Sequence, residues 1–137
     1  MFTIIFPVLN ERLRLENGVT RTVEYLQSIA FEDYEIIIVD NGSEDETPQI
    51  AEKLCKKYDK VRYERINVRG VGAAFRRGVE VSHGDVVGYM DIDLSTNIRH
   101  LGEAIHLFET QPEIQYINGS RFARESDTRG RKWSRRI

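Results

Sequence analysis

Tyr34-Glu35-Ile36-Ile37-Ile38-Val39-Asp40-Asn41-Gly42-Ser43 decides the fold. Ile36 to Val39 are four consecutive β-branched residues, and Asp40 to Ser43 close the run with turn chemistry. A continuous apolar run bounded by turn residues reads as a buried strand. On its amino-terminal side, Leu15, Val19, Val23, Leu26 and Ala30 recur at helical spacing, and Phe2 to Phe6 form an earlier strand ended by Pro7. On its carboxy-terminal side, Thr47-Pro48 reads as an N-cap followed by proline at the first helical position, and Ile50, Leu54 and Tyr58 continue that helix. Further strands are expected at Val61 to Ile66, Asp85 to Met90 and Ile114 to Ile117. Further helices are expected over Val71 to Ser82 and around Leu101, Ile105 and Phe108, the last closed by Pro112.

Strands alternating with helices predict an α/β fold, a mainly parallel sheet with helices on both faces and right-handed crossovers. Such sheets bind ligands outside the carboxyl ends of their strands. Polar clusters stand there four times: Asn10-Glu11, Asp40 to Ser43, Asp91-Ile92-Asp93 and Asn118-Gly119-Ser120-Arg121. Turns need polar residues anyway, so one cluster says little. Four on one rim point to one site.

The chain has 137 residues, enough for one core, and a single cysteine, Cys55, so neither an internal disulfide nor a four-cysteine zinc site is available. Cys55 reads as a packing residue. His83, His100 and His106 lack zinc-motif spacing. No apolar run reaches the ~20 residues of a bilayer span, and the first residues do not read as a signal peptide. These features predict a soluble chain in a reducing compartment. The net charge of −2 conceals an asymmetry: Arg121 to Ile137 carry seven basic side chains against two acidic ones. A basic end on an acidic body suits an anionic partner; a solvated tail is the plainer alternative.

Asp91-Ile92-Asp93 is the only Asp-x-Asp of the chain. In an extended segment, residues two apart project to one side. Two carboxylates there repel unless a cation lies near, and oxygen-only ligands suit Mg²⁺ or Mn²⁺. A pair of solvated turn aspartates is the alternative. Asp40 suits either a contact to a base or ribose or a turn role. Asn67 to Gly72 opens a helix, where glycine lets backbone N–H groups approach an anion; close helix–sheet packing is the rival explanation. A dinucleotide fingerprint is disfavoured, because Phe75 stands where its third glycine belongs. Phosphate-loop and nucleophile-elbow motifs are missing.

Pro7-Val8-Leu9-Asn10-Glu11, Val39 to Ser43, Gly84-Asp85, Met90 to Ser95 and Gly119-Ser120-Arg121-Phe122 occur in an order that resembles the family 2 inverting glycosyltransferases of GT-A fold, in particular their polyprenyl (dolichyl) phosphate mannosyl- and glucosyltransferase branch. The resemblance implies a nucleotide-sugar core over residues 1–120 and a basic segment, 121–137, leading toward an acceptor at a membrane. It implies that Pro7, Val8, Leu9 and Glu11 hold base and ribose and that Asp40 contacts the base. It implies that Asp91 and Asp93 place Mg²⁺ or Mn²⁺ on the donor diphosphate, that Arg121 meets phosphate, and that Arg131 and Arg135 face the acceptor phosphate. Gly72 joins these as a substrate-binding candidate at its helix start. Expected partners are a UDP-glucose- or GDP-mannose-type donor, a polyprenyl phosphate and a membrane surface, at its cytoplasmic face, with no nucleic acid. Transfer to a glycan hydroxyl, or nucleotide binding by a catalytically incomplete fragment, are the alternatives. Two features depart from the branch. Ser95-Thr96-Asn97-Ile98-Arg99 replaces its usual residues after the acidic pair, and the branch usually continues into further helices, which predicts a chain cut short at its carboxyl end.

Overall fold

The computed structural model describes residues 1–119. They form β1 (Phe2–Val8), α1 (Leu15–Ser28), β2 (Tyr34–Asp40), α2 (Thr47–Lys57), β3 (Val61–Arg65), α3 (Val71–Val81), β4 (Val86–Tyr89) and α4 (Arg99–Thr110). The chain divides into two compact units, Met1–Gly102 and Glu103–Ile137. The first holds a four-stranded sheet in the order β3-β2-β1-β4, with every pairing parallel.

All seven residues of β2 are buried, as its apolar run requires of a strand covered on both faces. The crossovers from β1 to β2 and from β2 to β3 step one way along the sheet; the crossover from β3 returns past β1 to β4. Right-handed connections therefore put α1 and α2 on one face and α3 on the other. Ile5, Ile37, Val39 and Ala74 form the buried cluster under α3, while Leu15, Val19, Val23 and Leu26 supply the buried stripe of α1. The step direction reverses between β1 and β4. That reversal leaves a crevice above their carboxyl ends.

Pro7 does not end β1. The strand runs to Val8, and Pro7 pairs in register with Val39. Ile5 accepts the Met90 N–H from the β4 side and Val8 accepts the Asn41 N–H from the β2 side, so the backbone of Pro7 faces β4. β4 has ended by then, so the missing N–H of proline breaks no ladder bond.

Two other expectations are corrected. Thr47 is not the N-cap: α2 starts on it, Glu46 is the cap residue and its side chain makes no cap bond, while Asp45 Oδ1 accepts the Thr47 N–H at 2.9 Å. Nor are residues 114–117 a strand. The Ile114 N–H bonds the Gln111 carbonyl in a turn and Tyr116 is exposed. Strand preference is realised only against a partner, and these residues have no ladder partner among the described ones.

The amino end of the sheet, opposite the crevice, is locked around Glu35. Its carboxylate accepts the Thr3 hydroxyl at 2.7 Å, the His83 N–H at 2.6 Å and Arg62 Nη1 at 3.0 Å. Burial pushes this carboxyl up, but those hydrogen bonds outweigh it and bring its pKa to about 2, below the ordinary 4.5. A depressed folded-state value stabilises the protein above the unfolded value, and that stability is lost as pH falls toward 2. Urea unfolding at pH ~6 and at pH ~3 is expected to show a stability loss of about 2 kcal/mol from this group in the wild type, the remainder being lost as pH falls on through ~2. Glu35→Gln should be less stable at neutral pH and should lose less on acidification; an identical acid loss in both proteins would refute the assignment.

Candidate nucleotide-sugar and metal site

Two rim loops flank the carboxyl ends of β1 and β2, and side chains stitch them together. The Asn10 N–H donates to Ser43 Oγ at 2.9 Å, and Asn10 Oδ1 accepts the Glu44 N–H at 2.9 Å. The Glu11 N–H donates to Thr47 Oγ1 at 2.8 Å, which is why that hydroxyl is not spent on capping α2. Asn10 sits in the left-handed region at φ 54°, a conformation asparagine tolerates. Leu9 and Asn10 are exposed, while Glu11 is part-buried and its carboxylate holds Arg14 Nε at 2.6 Å. Pro7 is part-buried and Val8 fully so. What these residues offer a ligand is therefore mainly the loop backbone and the Glu11 carboxylate.

Asp40 ends β2 with no exposed surface. Its Oδ1 accepts the Ser43 N–H at 2.8 Å; its Oδ2 accepts the Tyr63 hydroxyl at 2.8 Å and faces Arg65 Nη1 at 3.3 Å. Register explains the grouping, since Asp40 pairs with Arg65 and Ile38 with Tyr63 on the adjacent strand. Burial, reinforced by the bond to Asp40, pushes the Tyr63 phenol up to about 12, so it stays a donor at all ordinary pH. The carboxylate is thus engaged in shaping the 41–43 turn.

Asn41, which the sequence did not single out, is also buried, and its Oδ1 has no hydrogen-bond partner among the described residues. An orphaned buried acceptor costs about 1–3 kcal/mol and calls for an explanation. The side-chain amide faces the Val8 carbonyl at 3.5 Å, which orients the group. The available signal was position: Asn41 is the first residue past a fully buried strand.

The acidic pair follows β4 directly, but the segment is a turn and not extended. The Leu94 N–H bonds the Asp91 carbonyl at 3.1 Å, Leu94 has φ 50°, and Asp93 Oδ1 accepts the Ser95 N–H at 2.9 Å. Asp91 and Asp93 are exposed; Ile92 between them is buried. The expected spacing argument therefore fails, because a turn and not strand alternation sets where the carboxylates point. The donor chemistry still fits a hard cation: only carboxylate oxygens are offered. Among the described residues no third His, Cys, Asp or Glu completes a cage. Mg²⁺ and Mn²⁺ can be held by one or two carboxylates, with phosphate and water in the remaining positions.

At the start of α3 the left-handed backbone falls on Gly70, at φ 133°, and not on Gly72, which lies in the first turn and is open to solvent. His83 bonds the Glu35 lock and Cys55 is half-buried in α2. Arg121, Arg131, Arg135 and the expected boundary at 120/121 lie outside the described residues. Among the described residues no helix is long and apolar enough to cross a membrane.

The Asp91–Asp93 turn and the Leu9–Glu11 loop, with Pro7 and Val8 at the end of β1 before it, thus stand on the two strands that flank the sheet's reversal point. The family model for glycosyl transferase family 2 matches residues 3–137. The chain belongs to this family. Among relatives, glycosyltransferase AglD of Haloferax volcanii is 37% identical over 122 residues, covering 88% of this chain and 19% of that protein. The mouse dolichyl-phosphate beta-glucosyltransferase is 34% identical over 137 residues, covering 92% of this chain and 42% of that protein. This family 2 chain therefore spans less than half the length of either relative. Glucosyl-3-phosphoglycerate synthase from Mycobacterium tuberculosis, solved with Mn²⁺, UDP and glucosyl-3-phosphoglycerate, superposes with a TM-score of 0.62 at 24% identity, covering 80% of this chain and 40% of that one. At that identity the likeness concerns the fold, which is GT-A.

Proposed function

We propose that this family 2 chain carries the donor half of an inverting hexosyltransferase that moves a sugar from a UDP-glucose- or GDP-mannose-type donor to a polyprenyl phosphate. The observation that carries the reading is that the acidic turn and the Leu9–Glu11 loop follow the carboxyl ends of the neighbouring strands β4 and β1, either side of the reversal. The relatives named for dolichyl phosphate support the acceptor class, and a lipid acceptor places the working protein at a membrane surface, its cytoplasmic face on this reading.

Base and ribose lie against the Pro7–Glu11 segment and the Asn41–Ser43 turn. Asn41 Oδ1, an acceptor in want of a donor, takes an N–H of the base, while Asp40 holds the turn from beneath. The diphosphate lies toward Asp91 and Asp93, which would hold Mg²⁺ or Mn²⁺. The bound cation supplies charge neutralisation as negative charge grows on the leaving diphosphate. The start of α3 at Gly70 and Gly72 faces the same rim and favours an anion. An acceptor phosphate oxygen attacks the anomeric carbon from the side opposite the diphosphate. The new C–O bond forms as the old one breaks, and the nucleoside diphosphate leaves with the electron pair. A phosphate nucleophile is ionised near neutral pH, so the reaction needs no strong general base. Arg121, Arg131 and Arg135 are assigned to donor or acceptor phosphate by bidentate contacts.

Calorimetry with UDP-glucose, GDP-mannose and the free diphosphates, with and without Mn²⁺, tests this reading. Mn²⁺-dependent binding of one nucleotide series is expected, with Asn41→Ala weakening it about tenfold, the share of one buried hydrogen bond. Lack of binding to every nucleotide would reduce the reading to shared fold.

A further inference from the structure

Gly18 lies in the first turn of α1 and is buried. A Cβ built there would fall onto the Ile92 carbonyl oxygen and within 2.7 Å of Ile92 Cδ1. The residue it would displace is the centre of the acidic turn. Ile92 is 4% exposed, so its side chain anchors a turn whose flanking aspartates both face solvent. The nearest atom belongs to the backbone, so no side-chain rotation relieves the collision. Alanine is about 1 kcal/mol better than glycine inside a helix. Helix propensity therefore does not explain the glycine; the contact does.

We infer that Gly18 is a positioning residue for the acidic pair: by leaving space for the Ile92 backbone and side chain, it sets where Asp91 and Asp93 stand on the rim. α1 begins directly from the nucleoside-side loop, with the Leu15 N–H on the Glu11 carbonyl and the Gly18 N–H on the Arg14 carbonyl. The Thr22 hydroxyl bonds the Gly18 carbonyl at 2.9 Å and fixes that turn of helix. The same helical turn thus supports both halves of the site. A methyl group at Gly18 moves the acidic turn without touching a carboxylate, a nucleotide or the loop.

This inference rests on the proposed cation site, and the experiment separates the two. Mn²⁺ is titrated into the whole chain with UDP or GDP present, followed by loss of the free-ion electron paramagnetic resonance signal, alongside thermal melting. Gly78→Ala is the comparison: a Cβ there meets Ile5 Cδ1 at 2.5 Å, so it strains α3 against β1 without contact to the acidic turn. Gly18→Ala is expected to weaken Mn²⁺ binding about tenfold or more, the size typical of changes behind a metal ligand. Gly78→Ala should lower the melting temperature and keep wild-type Mn²⁺ affinity. Ile92→Val, which removes the methyl nearest Gly18, should weaken binding several-fold and covers the case in which Gly18→Ala does not fold. Wild-type affinity in Gly18→Ala or in Ile92→Val, or equal weakening in Gly78→Ala, overturns the inference while the cation site stands. Lack of Mn²⁺ binding by the wild type removes both.

Discussion

Asp93→Ala is expected to lower Mn²⁺-dependent affinity for a nucleoside diphosphate by ~100-fold or more, since changes merely behind a metal ligand already cost 10–100-fold. Stability should barely change, because the side chain is exposed and its one described contact is to the Ser95 N–H. The substitution therefore removes a ligand from the loaded protein at little cost to the empty one. Calorimetry with and without Mn²⁺ measures the first quantity and urea unfolding the second. Unchanged affinity in a folded Asp93→Ala protein would contradict the role proposed for the pair.

Asp40→Ala is expected to behave in the opposite way. Removing a buried carboxylate strands the Tyr63 hydroxyl and the Ser43 N–H and releases Arg65. Leaving the buried Ser43 N–H and the half-buried Tyr63 hydroxyl unpaired should cost about 3 kcal/mol of unfolding free energy. Asp40→Asn keeps an acceptor for Ser43 and should cost less. Urea denaturation of the three proteins checks the order. A stable Asp40→Ala protein with greatly weakened nucleotide binding would return Asp40 to direct contact with the base, the role its motif suggested. Set beside Asn41→Ala, the pair separates a residue that touches the base from one that shapes the turn beneath it.

The contrast between Asp40 and Asn41 shows what a motif reading misses. Both lie in the quoted stretch, and only Asp40 stood out there as a ligand contact. Side-chain alternation along β2 and the register with β3 put Asp40 under Tyr63 and Arg65, and those contacts are long-range. Thr47 gives the same lesson: its hydroxyl serves a residue 36 positions earlier and not its own helix. Pro7 marks a strand end in the sequence. It sits inside the strand because the neighbour on its donor side is shorter.

Periodicity and turn chemistry in the chain marked five strands and four helices, of which four strands and all four helices form among the described residues, and with them the rim on which the polar clusters stand. Burial of apolar runs is a local, cumulative preference, so it is legible residue by residue. The sheet order was decided only in three dimensions, because pairing β4 beside β1 is a competition among distant segments. That order created the reversal point between the Leu9–Glu11 loop and the acidic turn. It also pressed Ile92 against a helix 74 residues earlier in the chain, at Gly18, where a single missing methyl group governs the fit.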